Sequence, residues 1–211
     1  MTSFRYVLGS QSPRRRELLG ALVGVDNVDV IPPLDGDEPG FDGLTDWDSI
    51  EQQLYRIALE KFTDVSNQIA NRQDDIVIAA DTVIVAIDQN EKCIVLGKPP
   101  EKDWKPEVRR WFHDYFIGTT HFAATSVCVG HPNATPLTAT VRTSVTFRSG
   151  VEHLVDWYIN TNEPIGKAGG YAMQGAGSIF VQRIDGSLSN VVGLPLEATR
   201  ELIDGLRHSM T

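Results

Sequence analysis

The run Ile76-Val-Ile-Ala-Ala-Asp-Thr-Val-Ile-Val-Ala-Ile constrains the fold more than any other part of the chain. β-Branched residues dominate it and no helical stripe is present, so it reads as a buried strand, which a bend or break midway could divide. It falls well short of the ~20 apolar residues of a membrane helix, and Asp81 and Thr82 interrupt it. Around it the spacing predicts both element types. Ser12 is a good N-cap and Pro13 suits the first helical position, giving a helix over 13–23. Ile50, Leu54, Ile57, Ala58 and Phe62 recur at helical spacing and predict a second helix over 49–71. Short strands are expected at 6–8, 28–31 and 93–96, and a surface loop rich in Pro, Gly and Asp at 32–48. Further on come a helix at 106–116, two strands at 121–130 and 137–148 paired around His131-Pro-Asn, and a helix at 151–159. A Gly-rich stretch at 166–177 precedes strands at 179–184 and 191–192 and a last helix at 196–207. Strands and helices mix without strict alternation, so the expected class is α/β or α+β, a sheet with helices outside.

At 211 residues this is one domain, 1–211, with no internal repeat. Twenty-eight acidic against 19 basic side chains leave a net charge of −9. Such a chain is a poor partner for nucleic-acid phosphates. A small anion is bound only where the scarce basic groups converge. Cys93 and Cys128 form neither a disulfide framework nor a CxxC zinc site. The first residues lack the apolar stretch of a secretory signal, so a soluble cytoplasmic protein is expected.

Four places suggest chemistry. In Gly9-Ser-Gln-Ser-Pro-Arg-Arg-Arg16, three arginines oppose the positive end of the helix dipole. That arrangement makes sense if an anion sits among them and the free backbone N–H groups, with Arg16 the first candidate for a plain surface residue; otherwise it is a capped helix with solvated arginines. Asp81 in an apolar strand is costly unless paired, coordinated or facing a cleft. It could ligate Mg²⁺, act as a base towards water, or do both, or simply be satisfied for structure. Lys61, Lys98 and Lys167 each look like surface lysines taken alone. Neither Gly-Lys pair is a Walker A loop, because Lys92 and Thr161 stand where the earlier glycine is required. The glycines of 166–177 allow close backbone approach to a ligand, and Gln174 is a plausible reader of a base edge. Glu38, in an acidic loop, could join Asp81 at a metal. The five histidines are scattered, with no HExxH, and GxSxG is absent.

Taken in order, Ser10-Gln-Ser-Pro-Arg-Arg-Arg-Glu-Leu-Leu, Ala80-Asp-Thr-Val, Gly97-Lys-Pro, Lys167-Ala-Gly-Gly-Tyr-Ala-Met-Gln-Gly and Asn190-Val-Val-Gly-Leu-Pro-Leu resemble the Maf family of nucleoside triphosphate pyrophosphatases. The resemblance implies an elongated α/β fold similar to the inosine triphosphate pyrophosphatases, a nucleotide cleft between two lobes, and commonly a homodimer. By position it makes Asp81 the catalytic carboxylate. Arg14, Thr82 and Gln174 match positions tied to base choice, and Arg15, Lys61 and Lys98 match phosphate-facing or catalytic basic groups. Ser10 and Ser12 line the substrate side, and Glu38 with Asp81 would hold Mg²⁺ or Mn²⁺. Ser-Pro-Arg-Arg, Ala-Asp-Thr and the Gln-Gly ending fit the branch acting on dTTP and UTP. Two departures stand out: Phe116-Ile-Gly-Thr119 replaces the family's Leu-Ser-Gly-Arg/Lys, and the 32–48 loop looks enlarged.

The activity implied is hydrolysis between the α- and β-phosphates, giving a monophosphate and pyrophosphate. The alternatives are a non-catalytic nucleotide-binding regulator of division or septation, and a pyrophosphatase for modified purine nucleotides.

Overall fold

The computed structural model describes residues 5–34 and 39–208. The chain runs β1 (Tyr6–Leu8), α1 (Pro13–Val23), β2 (Val28–Val30), α2 (Trp47–Gln68), β3 (Ile76–Ile87) and β4 (Cys93–Leu96). It continues through α3 (Trp104–Trp111), β5 (Thr120–Gly130), β6 (Leu137–Phe147), α4 (Val155–Asn160), β7 (Val181–Asp185), α5 (Leu188–Val192) and α6 (Leu196–His208). Helices flank a mixed seven-stranded sheet in the order β2-β1-β3-β5-β6-β7, with β4 also on β3. The expected α/β class holds.

β3 is the axis of the molecule. The expected buried strand is present, and no break divides it: its twelve residues form one strand. One edge pairs with β5 without interruption from Val77 to Val85. The other edge carries two short partners, β1 in parallel at Tyr6↔Ile76 to Leu8↔Ile78 and β4 antiparallel at Ile84↔Leu96 to Ile87↔Cys93. Among the described residues, 79–83 therefore have no strand on that edge, and the segments leaving β1 and β4 both start beside the gap.

Alternation along β3 decides which helix meets which residue. Val77, Ala79, Val83 and Val85 face α2, where Ala58, Phe62 and Val65 cover the first pair and Ile50 and Leu54 the second. Ile76, Ile78 and Ala80 face α1 and α6 through Leu19 and Ile203. Ile84 and Ala86 face the large aromatic core of Phe112, Phe116, Phe147, Tyr158 and Phe180. Asp81 and Thr82, on opposite faces, lie where one apolar cluster ends and the next begins.

Several expected boundaries shift for local reasons. α2 starts two residues early because Asp46 caps it, accepting from the Ser49 amide at 2.9 Å. The helix expected at 106–116 starts at Trp104, ends at Trp111 and passes into a π-helical turn over Phe112–Phe116. Ile179 belongs to a 3₁₀ turn, and β7 starts only at Val181. The strand expected at 191–192 is instead part of α5. Ser187 caps that helix by accepting from the Asn190 amide, and Gly193 ends it at φ 126°. Two adjacent valines carry a strand preference, but a cap and a C-terminal glycine override it.

The enlarged 32–48 loop is tied down where it is described. Phe41 and Leu44 pack against the cluster that Ile50 and Leu54 of α2 form with Val83 and Val85, and the Leu34 amide donates to Asp64 at 2.7 Å. The Phe116-to-Thr119 departure is also structural: Phe116 is buried among aromatics, and the Thr119 hydroxyl donates back to the Phe116 carbonyl at 3.1 Å.

His121 is fully buried in the aromatic core, 2.9 Å from the Tyr171 hydroxyl through Nε2 and 4.3 Å from the Phe116 ring. Burial pushes its pKa from the ordinary 6.5 down to about 3. The unfolded chain therefore binds a proton that the folded chain refuses. The stability this neutral imidazole contributes is complete above pH 6.5 and falls by about 1.4 kcal/mol per pH unit as pH drops towards 3. Thermal melts of His121→Gln are expected to vary less with pH between 6.5 and 4 than those of the parent. Parallel curves would assign the acid sensitivity to other groups.

Candidate active site

Asp81 keeps only a tenth of its side-chain surface exposed. An ionised carboxylate so placed needs a partner, and Lys61 supplies it: Nζ donates to Oδ1 at 2.6 Å. Lys61 lies on the buried stripe of α2, three residues after Ala58 and four before Val65. A lysine there, rather than a leucine, matches the one carboxylate on the facing strand. Next to Asp81 on this face, Ser126 of β5 is hydrogen-bonded to Thr140 of β6 at 2.7 Å. A polar row thus crosses an otherwise apolar layer.

The opposite face carries a second polar group, centred on Arg15. Its guanidinium donates to the Gly193 carbonyl at 2.8 Å through Nε, to Thr82 Oγ1 at 3.0 Å and to Ser10 Oγ at 3.3 Å. The planar fork of arginine can make three such bonds in fixed directions, which a lysine cannot. Thr82 Oγ1 is also 2.9 Å from Thr125 Oγ1. Ser10 Oγ accepts from the Ser12 amide, and Ser12 Oγ caps α1 by accepting from the Arg15 amide. The turn packs closely on α2 at Gly9, where a Cβ would lie 3.2 Å from Val65 Cγ2.

Arg14 faces another segment. Burial and the charge of Arg14 both hold the Lys167 ammonium below its ordinary pKa. The Lys167 Nζ donates to the Glu163 carbonyl at 2.6 Å. The first turn of α1 carries no acidic residue, although that end of a helix ordinarily favours one. Lys98 is exposed in the turn leaving β4, whose last residue, Leu96, pairs with Ile84. The Gly-rich stretch docks there, with the Gly169 amide on the Gly97 carbonyl at 2.9 Å. Gly169 has φ 66°, and a Cβ would lie 2.8 Å from Ile84 Cγ1, so glycine is required.

The residues expected from sequence thus fall into groups. Asp81 and Lys61 meet on one face, and Ser10, Ser12, Arg15 and Thr82 meet on the other. Arg14 joins Lys167, which the spacing singled out without giving it a role. Lys98 stands at the end of the gap. Gln174 is exposed at the tip of the Ala172–Gly175 turn, and among the described residues no hydrogen bond joins it to the other site residues. Glu38 lies outside the described residues. Among those described, no cluster of three or more His, Cys, Asp and Glu forms. Asp81 alone fits a hard divalent cation that takes the rest of its oxygen ligands from phosphate and water.

Sequence reasoning missed Thr125, Glu163 and Asn190 as parts of this structure. Asn190 is fully buried, and its Nδ2 faces the Ala123 and Val141 carbonyls and Thr143 Oγ1 at 3.0–3.2 Å. The sequence showed it as the first residue of the Asn190-Val-Val-Gly-Leu-Pro-Leu motif, with nothing to mark it as a buried bridge between strands.

A family model described as Maf-like protein matches residues 5–206. The chain is 39% identical over 212 residues to a dTTP/UTP pyrophosphatase of Anaeromyxobacter sp. (strain Fw109-5), covering 99% of this chain and 92% of that protein. It is 41% identical over 204 residues to a dTTP/UTP pyrophosphatase of Anaeromyxobacter dehalogenans (strain 2CP-C), covering 94% and 92%. A dTTP/UTP pyrophosphatase of Pyrococcus abyssi is 34% identical over 197 residues, covering 93% and 94%. No helix among the described residues is long and apolar enough to cross a membrane. On the family match across nearly its whole length, the chain belongs to the Maf-like proteins.

Proposed function

We propose that this chain hydrolyses dTTP and UTP at the bond between the α- and β-phosphates, releasing the nucleoside monophosphate and pyrophosphate. One observation carries the reading. In a molecule of net charge −9, the Asp81–Lys61 pair, Arg15 on Thr82, the turn of Lys98 and the Gly-rich stretch docked on it lie along 79–83 of β3, which among the described residues has no strand on one edge. Ligands of open α/β sheets bind outside the carboxyl ends of strands, and β1 ends at this gap. The relatives' activity on dTTP and UTP supports the same choice of substrate.

In this reading Asp81 orients the attacking water and accepts its proton, while the hydrogen bond from Lys61 fixes the direction of the carboxylate. Arg14, Lys167 and Lys98 neutralise charge on the phosphate oxygens. Arg15 draws Ser10, Thr82 and the 193 carbonyl into one rigid wall, and Gln174 meets the pyrimidine edge. Transfers of this type depend mostly on such positioning and electrostatic stabilisation. A divalent cation, Mg²⁺ or Mn²⁺, held by Asp81 and Glu38 with the phosphates, would add neutralisation of the triphosphate. The resemblance further suggests a cytoplasmic homodimer.

Pyrophosphate release from UTP, dTTP, CTP, 7-methyl-GTP and dITP with Mg²⁺ or Mn²⁺ tests the assignment. UTP and dTTP are expected to lead. Preference for 7-methyl-GTP or dITP would favour the modified-purine alternative, and no release from any would favour a nucleotide-binding regulator.

A further inference from the structure

We propose that Glu163 is a positioning residue for base recognition, the anchor on which the Gly-rich segment closes to present Gln174. The proposal rests on the pyrophosphatase reading above and deepens it. Glu163 belongs to none of the chemistry-bearing clusters, yet it touches the Gly-rich segment at both ends. Its Oε2 accepts from the Ala176 amide at 2.8 Å and its Oε1 from the Gly177 amide at 2.9 Å. The buried Tyr158 hydroxyl donates to Oε1 at 3.1 Å and itself accepts from the Ala172 amide at 3.3 Å. The Glu163 backbone carbonyl takes the Lys167 ammonium. One residue therefore fixes the cation that faces Arg14 and the backbone on either side of residue 174.

The glycines fit this role. A Cβ at residue 175 would lie 2.0 Å from Glu163 Oε2, and one at 177 would lie 2.9 Å from the Ala172 carbonyl oxygen. Only glycine lets the chain wrap the carboxylate this closely. A carboxylate is also the right group. It offers only acceptors, so every surrounding N–H and O–H finds one, whereas a glutamine would turn an NH₂ towards a donor. The Gln174 side chain, at the exposed tip of the turn, makes none of these bonds, so its direction is inherited from the anchored backbone.

The test compares Glu163→Gln, Tyr158→Phe, Gln174→Ala and the Glu163→Gln/Gln174→Ala double variant with the parent. The readout is the ratio of kcat/KM for UTP to that for dITP. The ratio of binding constants for the α,β-methylene analogues of UTP and ATP is measured on the same proteins. Ratios do not depend on the active fraction, so lost stability alone leaves them unchanged. Glu163→Gln is expected to lower the UTP:dITP ratio about tenfold, mostly through KM for UTP, and Tyr158→Phe to lower it less. In the Gln174→Ala background the Glu163 change should shift the ratio no further. An unchanged ratio in Glu163→Gln, or a full additional shift in the double variant, overturns the proposal and leaves the pyrophosphatase reading standing. A parent that binds the analogues without hydrolysing UTP or dTTP overturns only the hydrolytic reading, and the binding ratios then decide the role of Glu163. A parent that neither binds nor hydrolyses overturns both.

Discussion

Asp81→Asn is expected to lose pyrophosphate release by about 10³-fold while keeping the fold. The substitution preserves volume, and the new amide oxygen still accepts from Lys61, so that ammonium is not stranded. Removing a positioned base alone costs about 10²–10⁴ in rate, and losing a cation ligand adds to it. The stability cost is small because the amide fills the same space and leaves Lys61 an acceptor, so no buried charge loses its hydrogen bond. A loss of about 1 kcal/mol shifts the melting point of a domain this size by about 2–4 °C. Steady-state release from UTP, run beside a thermal melt, checks both halves. Retained turnover at an unchanged melting point would remove Asp81 from the chemistry.

Asn190→Ala should produce the largest stability loss expected of any single polar side chain discussed above. The amide sits beneath α5, joining the backbones of β5 and β6 and the Thr143 hydroxyl. Deleting it removes the donor that the Ala123 and Val141 carbonyls share, at about 1–3 kcal/mol, and opens space in a packed layer, although Thr143 Oγ1 still accepts from the Ser187 amide. A total near 3 kcal/mol lowers the melting point by about 6–12 °C. Activity should fall too, since α5 ends at Gly193, whose carbonyl holds Arg15. A melting point within 2 °C of the parent would show that the buried amide adds nothing net. Asn190→Asp should fare worse, placing a charge among acceptors.

The strands and long helices were legible because burial periodicity is written in side chains: twelve mostly β-branched residues for β3, and Leu54, Ala58 and Phe62 for α2. The pairing of Asp81 with Lys61 was half legible. A carboxylate among valines demands a partner, but which of the lysines answers depends on how α2 docks. The segment at 191–192 was misread because two valines outweighed the local cap at Ser187 and the stop at Gly193, and because the bonds of the Asn190 side chain to β5 and β6 leave no mark in a local pattern. Glu163 was illegible for a related reason. Its partners are backbone amides and a tyrosine hydroxyl, and no spacing of residue types announces a bond to a main-chain N–H. Arg15 looked phosphate-facing by position, yet much of its donor capacity is spent on Ser10, Thr82 and Gly193.

The unfilled stretch beside β3 has a consequence for how the molecule comes into being. It exists only after β1, β3 and β4 have docked and the last turn has reached Arg15, contacts that join the chain's first strand to residues near its end. Such long-range closures form slowly and together. Half-assembled molecules thus have no pocket in which to consume nucleotide, and on dilution from denaturant turnover should return last, after helical signal has already recovered.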